Sequence, residues 1–190
     1  MSDFEFVFVL YSLVLGLSLV ELLNGLGRTV EFKLAQQAGD RAFSLGVLTP
    51  LLALFVILDL LSFWIFAWIV QEHVVAERFT VLGVLVFASA YFLASRLVFP
   101  SDPQNFTELD THYFRVRRVV FGMLLLMVAV QWLFLLSIPS ISDRLITPAS
   151  IGATAVLVVL MLAGMAFSGK RANIAVLGLL IARYLVIYAM

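Results

Sequence analysis

The feature that most constrains this chain is a series of long apolar stretches. A helix that crosses the hydrocarbon core of a membrane needs about 20 mostly apolar residues. The sequence contains six such stretches, at about 6–27, 45–70, 79–99, 118–138, 148–168 and 173–189. Backbone groups in lipid must be satisfied within their own segment, which favours helices. We therefore expect an all-α fold, a polytopic transmembrane bundle of six helices that forms one integral membrane domain over residues 1–190.

The composition excludes several classes of protein. Hydrophobic residues make up 63% of the chain and charged residues 13%, whereas soluble domains are nearer one half and one quarter. This excludes a soluble enzyme and a disordered chain. The formal net charge is zero, so no overall field attracts a polyanion and we expect no nucleic-acid partner. The chain has no cysteine, which removes disulfides, thiolate catalysis and iron–sulfur ligation.

The distribution of basic residues predicts the orientation. Loops one, three and five and their flanks carry nine of the twelve Lys and Arg residues, and loops two and four carry two. The nine are Arg28, Lys33, Arg41, Arg96, Arg115, Arg117, Arg118, Lys170 and Arg171, and the two are Arg78 and Arg144. Basic loops remain in the cytoplasm. We therefore expect a multi-pass protein of a bacterial inner membrane with both termini outside.

Five polar residues within or near the spans form a candidate intramembrane network: Glu21, Asn24, Asp59, Arg96 and Arg183. A charged side chain in the bilayer core costs about 2.5–3.5 kcal/mol on insertion scales, so each one needs a partner. Asp59 and Arg183 lie at similar depth in spans that run in the same direction, which predicts that they pair. Glu21 is expected to pair with Arg96, with Arg28 as a competitor.

The first span also carries polar residues at three- and four-residue steps, which places them on one helix face. They are Tyr11, Ser18, Glu21, Asn24 or Gly25, and Arg28. Such a face avoids lipid, so we expect the first span to be central. The network has three interpretations: ion pairs that fix helix register, an ion or proton pathway in which Glu21 and Asp59 titrate, or a polar contact with a partner subunit.

Two further features have alternative interpretations. Aromatic residues of the outer half are interfacial anchors or the lining of an outer cavity; they are Trp64, Trp68, Trp132, Tyr11, Tyr184 and Tyr188. Small residues of span five, such as Gly152 and Gly164, allow close helix packing. That packing lies within the bundle or in a homo-oligomer.

The third loop is the longest and is basic. Thr107-Glu108-Leu109-Asp110 has the form of a helix start, and the helix would continue into span four. Arg115, Arg117 and Arg118 then form a candidate cytoplasmic docking surface. It would hold anionic lipid headgroups or a protein partner.

Recognisable catalytic chemistry is missing. His73 and His112 are predicted on opposite sides of the membrane, so they cannot jointly bind a haem or a metal. Neither HExxH nor GxSxG occurs, and both lysines lie outside the spans. We therefore expect no enzyme, no catalytic residue, no metal site and no cofactor.

Several segments resemble a group of uncharacterised small bacterial inner-membrane proteins with six spans. They are Tyr11-Ser12-Leu13-Val14-Leu15-Gly16-Leu17, Glu21-Leu22-Leu23-Asn24-Gly25-Leu26-Gly27-Arg28, Leu97-Val98-Phe99-Pro100, His112-Tyr113-Phe114-Arg115, Arg117-Arg118 and Phe121-Gly122. The resemblance implies a bacterial inner membrane and six spans, and it assigns no catalytic or binding residue.

Small size, short loops and missing chemistry favour a subunit or accessory component of a membrane complex. Its partners would be the lipid bilayer and a second protein or further copies of the chain. The alternative is a small ion or proton channel, or a secondary transporter, that uses Glu21, Asp59 and Arg183.

Overall fold

The computed structural model describes residues 2–36, 43–139, 142 and 146–189. These ranges contain six long helices and no named strand. The helices are α1 (Asp3–Gln36), α2 (Leu48–Ile69), α3 (Arg78–Val98), α4 (Leu109–Leu136), α5 (Pro148–Ala166) and α6 (Lys170–Ala189). Each is long and apolar enough to cross a membrane. The prediction of an all-α bundle of six membrane-spanning helices is therefore confirmed.

Two helices are longer than the apolar stretches that predicted them. The 34 residues of α1 correspond to about 51 Å at 1.5 Å per residue, which exceeds a hydrocarbon core of about 30 Å. Helix α4 begins at Leu109, well before the predicted span at 118. Both helices therefore extend beyond the apolar layer, and each carries charged residues there.

The loops gather at two ends of the bundle. At the end where α2, α4 and α6 begin, here the basic end, the Ser44 amide donates to the Thr107 carbonyl (3.0 Å) and Lys170 pairs with Glu108 (2.8 Å). At the end where α1, α3 and α5 begin, here the termini end, the Ala76 amide donates to the Asp3 carboxylate (3.1 Å). Successive helices therefore run in opposite directions.

Helix α1 lies at the edge of the bundle. It packs mainly against α3, whereas α2, α4, α5 and α6 form a ring in which each helix contacts the next. Leu13, Leu17 and Val20 of α1 are at least half exposed. The expectation that the first span is central is therefore wrong. Two of its polar side chains are satisfied nearby, since Ser18 donates to the Val14 carbonyl and Tyr11 to the Phe63 carbonyl.

The ring is tightly packed in its basic half. Phe55, Phe121, Met161 and Leu177 are completely buried there, one from each of the four helices. A side-chain carbon on Gly164 would lie 2.7 Å from the Phe121 ring. Gly164 therefore lets α5 approach α4 closely, as expected for packing of small residues within the bundle.

Asp110 joins three helices at the basic end. Its Oδ1 accepts hydrogen bonds from the backbone amides of Val47 (3.0 Å) and Leu48 (2.9 Å), at the start of α2. Its Oδ2 lies 2.5 Å from Lys170 Nζ, at the start of α6. A carboxylate at a helix N-terminus satisfies free amides and complements the helix dipole. Asp110 lies in the first turn of α4, yet it caps α2.

Candidate functional site

A cavity of about 390 Å³ lies inside the ring of four helices. We call it the cup. Its lining comes from residues 59–69 of α2, 128–135 of α4, 150–157 of α5 and 183–188 of α6. These segments are the last turns of α2, α4 and α6 and the first turns of α5, so the cup belongs to the termini end of the bundle.

The cup reaches deep into the bundle. Asp59 lies ten residues before the last residue of α2, Ile69, which corresponds to about 15 Å along the helix axis. A hydrocarbon core is about 30 Å thick. The cup therefore extends from the termini end to about the middle of the apolar layer, where Asp59 forms part of its floor.

Two tyrosines hold the Asp59 carboxylate, which is completely buried. The Tyr184 hydroxyl donates to Oδ1 (2.5 Å) and the Tyr91 hydroxyl donates to Oδ2 (3.1 Å). Tyr91 also lies 2.7 Å from the Val56 carbonyl. Oδ1 therefore has a donor of its own, while Oδ2 shares the single hydroxyl proton of Tyr91 with the Val56 carbonyl.

Arg183 makes no direct contact with Asp59, so the predicted pair exists only as attraction between two nearby opposite charges. Its Nε donates to the Ala153 carbonyl on α5 (3.0 Å), and its Cζ lies 4.9 Å from the centre of the Tyr184 ring. Successive residues of a helix point about 100° apart. Tyr184 therefore faces α2, while Arg183 faces α5.

The guanidinium of Arg183 has spare hydrogen-bonding capacity. Its Nη1 is buried and has no hydrogen-bond partner among the described residues. Gln131 of α4 and Thr154 of α5 line the same cavity. The cup therefore combines a cationic group with neutral polar side chains from two other helices.

Aromatic residues line part of the cup. Trp132, Tyr184 and Tyr188 contribute to its wall, and the Tyr188 hydroxyl donates to the Leu58 carbonyl (2.6 Å). Trp68 instead packs against aromatic rings of α1. A cavity lined in part by aromatic residues is thus present at the termini end, built from some of the residues that the sequence suggested for it.

Glu21 belongs to a second site outside the cup. Glu21 Oε1 accepts from Arg96, as predicted, and from Arg28 Nη2 at 3.3 Å. Glu21, Asn24, Arg28 and Glu31 line an open groove on α1. The proposed network of Glu21, Asn24, Asp59, Arg96 and Arg183 therefore separates into two sites, the cup and this groove.

The three arginines proposed for docking have different environments. Arg117 is buried, and its Nη1 donates to the Gly164 carbonyl (2.8 Å), the Phe167 carbonyl and Asn173 Oδ1 (3.1 Å). It is therefore not available for docking. Arg117 is buried because it binds the end of α5, where the last backbone carbonyls have no partner within the helix and attract a cation.

The other two arginines remain on the surface. Arg118 is exposed and its Nε lies 3.4 Å from the Met165 carbonyl. Arg115 lies over the Phe106 ring, with 5.4 Å from Cζ to the ring centre. A docking surface at the basic end, if it is used, would be formed by Arg115 and Arg118 without Arg117.

Tyr91 and Thr154 were not predicted from the sequence, and Tyr184 was predicted only as an aromatic residue. Tyr91 lies in the apolar span α3, where a buried hydroxyl needs an acceptor, and this was the available signal. The sequence carried no such signal for Thr154, because a threonine in a span can form a hydrogen bond with the backbone of its own helix. Within the described ranges, no group of three His, Cys, Asp or Glu side chains is arranged to hold a metal ion.

No protein-family model matches this chain, and neither the curated proteins nor the solved structures give a match.

Proposed function

We propose that the protein is a small secondary transporter of a bacterial inner membrane, without catalytic activity, that binds its substrate in the cup. The orientation inferred from the basic loops places the cup on the outer side. In this proposal Asp59 and Arg183 belong to the substrate site. Glu21 and Arg96 hold α1 against α3 and have no part in transport.

The observation that carries the proposal is the one-sided shape of the cavity. The cup extends from the termini end to Asp59, and the fully buried side chains of Phe55, Phe121 and Met161 fill the ring in its other half. A binding site near the membrane midplane, between helices and open to one face, is typical of one state of a transporter. An open channel would need a hydrated path through both halves.

A proton-flux measurement tests this proposal against the channel alternative. The purified chain is reconstituted in liposomes that contain a pH-sensitive dye, and a potassium diffusion potential drives protons inward. Because the basic half of the ring is closed, we expect acidification no faster than in protein-free liposomes, for the wild type and for Asp59→Asn alike.

Glu21→Gln is the matched control, since it removes a carboxylate of the same chain outside the cup. A proton current that Asp59→Asn abolishes and Glu21→Gln preserves would contradict the transporter proposal. It would make Asp59 part of a proton channel.

A second candidate is a subunit or accessory component of a membrane complex. The groove on α1 favours it, because Glu21, Asn24 and Arg28 lie on the outer surface of the bundle, in the second half of a peripheral helix. Polar groups at such a position suit contact with another protein.

The mass of the gently extracted native particle separates the two candidates: a stoichiometric second protein supports the accessory role, and a lone chain or homo-oligomer supports the transporter.

A further inference from the structure

The charges of the cup are not equally satisfied. Asp59 accepts a hydrogen bond from Tyr184 at one oxygen, and at the other it shares the hydroxyl proton of Tyr91 with the Val56 carbonyl. Arg183 has one hydrogen bond, to the Ala153 carbonyl, and its Nη1 is buried with no partner among the described residues. An unpaired polar group in an apolar environment is costly. Arg183 is attracted by Asp59 without touching it, and its guanidinium is therefore the charged group of the cup that keeps an unused hydrogen-bond donor.

Neutral hydrogen-bonding groups accompany the cation. Gln131 on α4 and Thr154 on α5 line the cavity together with Arg183 on α6. An arginine can bind two oxygens of a carboxylate or phosphate with parallel hydrogen bonds, and an amide and a hydroxyl can donate to further oxygens. This set of donors fits a ligand group with several oxygens and a negative charge.

The remaining wall is apolar and partly open to the lipid-facing surface. Ile65, Ile69 and Ile187 line the cavity, and 43–51% of each residue is exposed. In a membrane, a bundle surface that exposes such side chains faces acyl chains. A ligand in the cup can therefore keep an apolar tail against this wall while its head lies deeper, beside Arg183.

We propose that the cup binds an amphiphile that has one apolar tail and an oxyanion head, either carboxylate or phosphate. The head lies against Arg183 and also accepts hydrogen bonds from Gln131 and Thr154, and the tail lies along Ile65 and Ile69. This inference rests on the proposed function, because it assigns the ligand class of the same site. The volume of about 390 Å³ is within the range of small-ligand sites, roughly 300–1,000 Å³.

Fluorescence of Trp132 tests the proposal, since Trp132 is the tryptophan that lines the cup. Trp64→Phe and Trp68→Phe leave it as the single tryptophan of a chain that has three. The protein, in nanodiscs of uncharged lipid, is titrated with octyl phosphate, octanoate, inorganic phosphate, octyl glucoside and octyltrimethylammonium. We expect saturable changes with octyl phosphate and octanoate, and binding of inorganic phosphate at least about tenfold weaker, because the tail contributes apolar burial.

Arg183→Gln should weaken octyl phosphate binding by at least about tenfold, the loss expected for a charged hydrogen bond. Arg78→Gln is the matched control, since it removes an arginine of the same end of the bundle that does not line the cup. Should Arg183→Gln fail to fold, Arg183→Lys keeps the charge without the planar donors and should give a weaker but measurable complex. Equal affinity in the Arg183 and Arg78 variants would overturn the proposal.

The ligand series separates this inference from the proposed function. Saturable binding of octyltrimethylammonium or octyl glucoside without binding of the anions would overturn the oxyanion assignment and leave the cup as a ligand site. Inorganic phosphate that binds as well as octyl phosphate would overturn the amphiphile and identify a small free anion. Should none of the five probes bind, both the inference and the ligand-binding role of the cup would be contradicted.

Discussion

Arg117→Met is expected to destabilise the protein by about 2–4 kcal/mol, because it removes a charged donor from buried acceptors that have no water to replace it. Methionine keeps most of the apolar stem but leaves the Gly164 carbonyl of α5 without its donor, whereas the Phe167 carbonyl keeps the Asn173 side-chain amide (2.8 Å). Asn173 also loses one of its donors, although Tyr113 still donates to it (2.7 Å). Thermal unfolding of the purified protein in detergent measures the change.

Arg118→Met is the matched control, since it makes the same chemical change at the next residue of α4. Arg118 is exposed and makes one long contact at 3.4 Å, so its replacement should change the unfolding temperature little. Equal losses from the two variants would contradict the assignment of Arg117 as the buried donor that ends α5.

Asp59→Ala is expected to cost about 2–4 kcal/mol, since buried groups that lose their partner pay the desolvation cost in full. Tyr184 loses the acceptor of its hydroxyl, whereas Tyr91 keeps the Val56 carbonyl. The methyl side chain also leaves a void between α2 and α6.

Asp59→Asn is the comparison, because asparagine has nearly the same shape and keeps one acceptor oxygen. We expect it to lose less than half as much stability as Asp59→Ala, measured by the same thermal unfolding. A loss from Asp59→Asn that equals that of Asp59→Ala would show that the negative charge itself holds the site together. The tyrosine hydrogen bonds would then not be its main stabilisation.

The six spans could be predicted because they depend on a simple property of the sequence. Each of the six helices contains about 20 mostly apolar residues, and the apolar layer selects for that length. The ends of α1 and α4 could not be placed in the same way. Beyond the apolar layer the helices continue through charged residues, and no side-chain cap marks the start of α4 after Glu108.

The partners of the polar residues were harder to predict. The estimated depth of each residue in the membrane correctly predicted the pair of Glu21 and Arg96, because both lie toward the basic end of adjacent helices. Similar depth in the membrane also predicted that Asp59 pairs with Arg183. The direction in which each side chain leaves α6 prevents that direct contact. A difference of one residue, from Arg183 to Tyr184, changes the direction of the side chain by about 100°.

Arg117 shows a second limit of prediction from a single sequence. Three arginines within four residues of a loop predict a basic surface, but α4 already includes them, and one of its faces packs against α5. Arg117 lies on that face and is 4% exposed, while Arg118 is turned away. Which arginine is buried depends on the packing partner of the helix, which a single sequence does not identify.

We expect water to reach the cup from the termini end of the bundle. The chain has no cysteine, so each introduced thiol is the only one. Thr154→Cys places it in the cup, and Val156→Cys places it two residues away on the same helix, at a position that is 51% exposed on the outer surface of the bundle.

The measurement is the rate at which each thiol reacts with a charged, membrane-impermeant reagent. The reagent is added to the face that bears the termini end, and only a thiolate in contact with water reacts. We predict that Thr154→Cys reacts at least about tenfold faster than Val156→Cys, whose thiol lies in lipid where the thiolate does not form. Equal rates at the two positions, or no reaction at Thr154→Cys, would contradict a water-filled cup and with it the proposed ligand site.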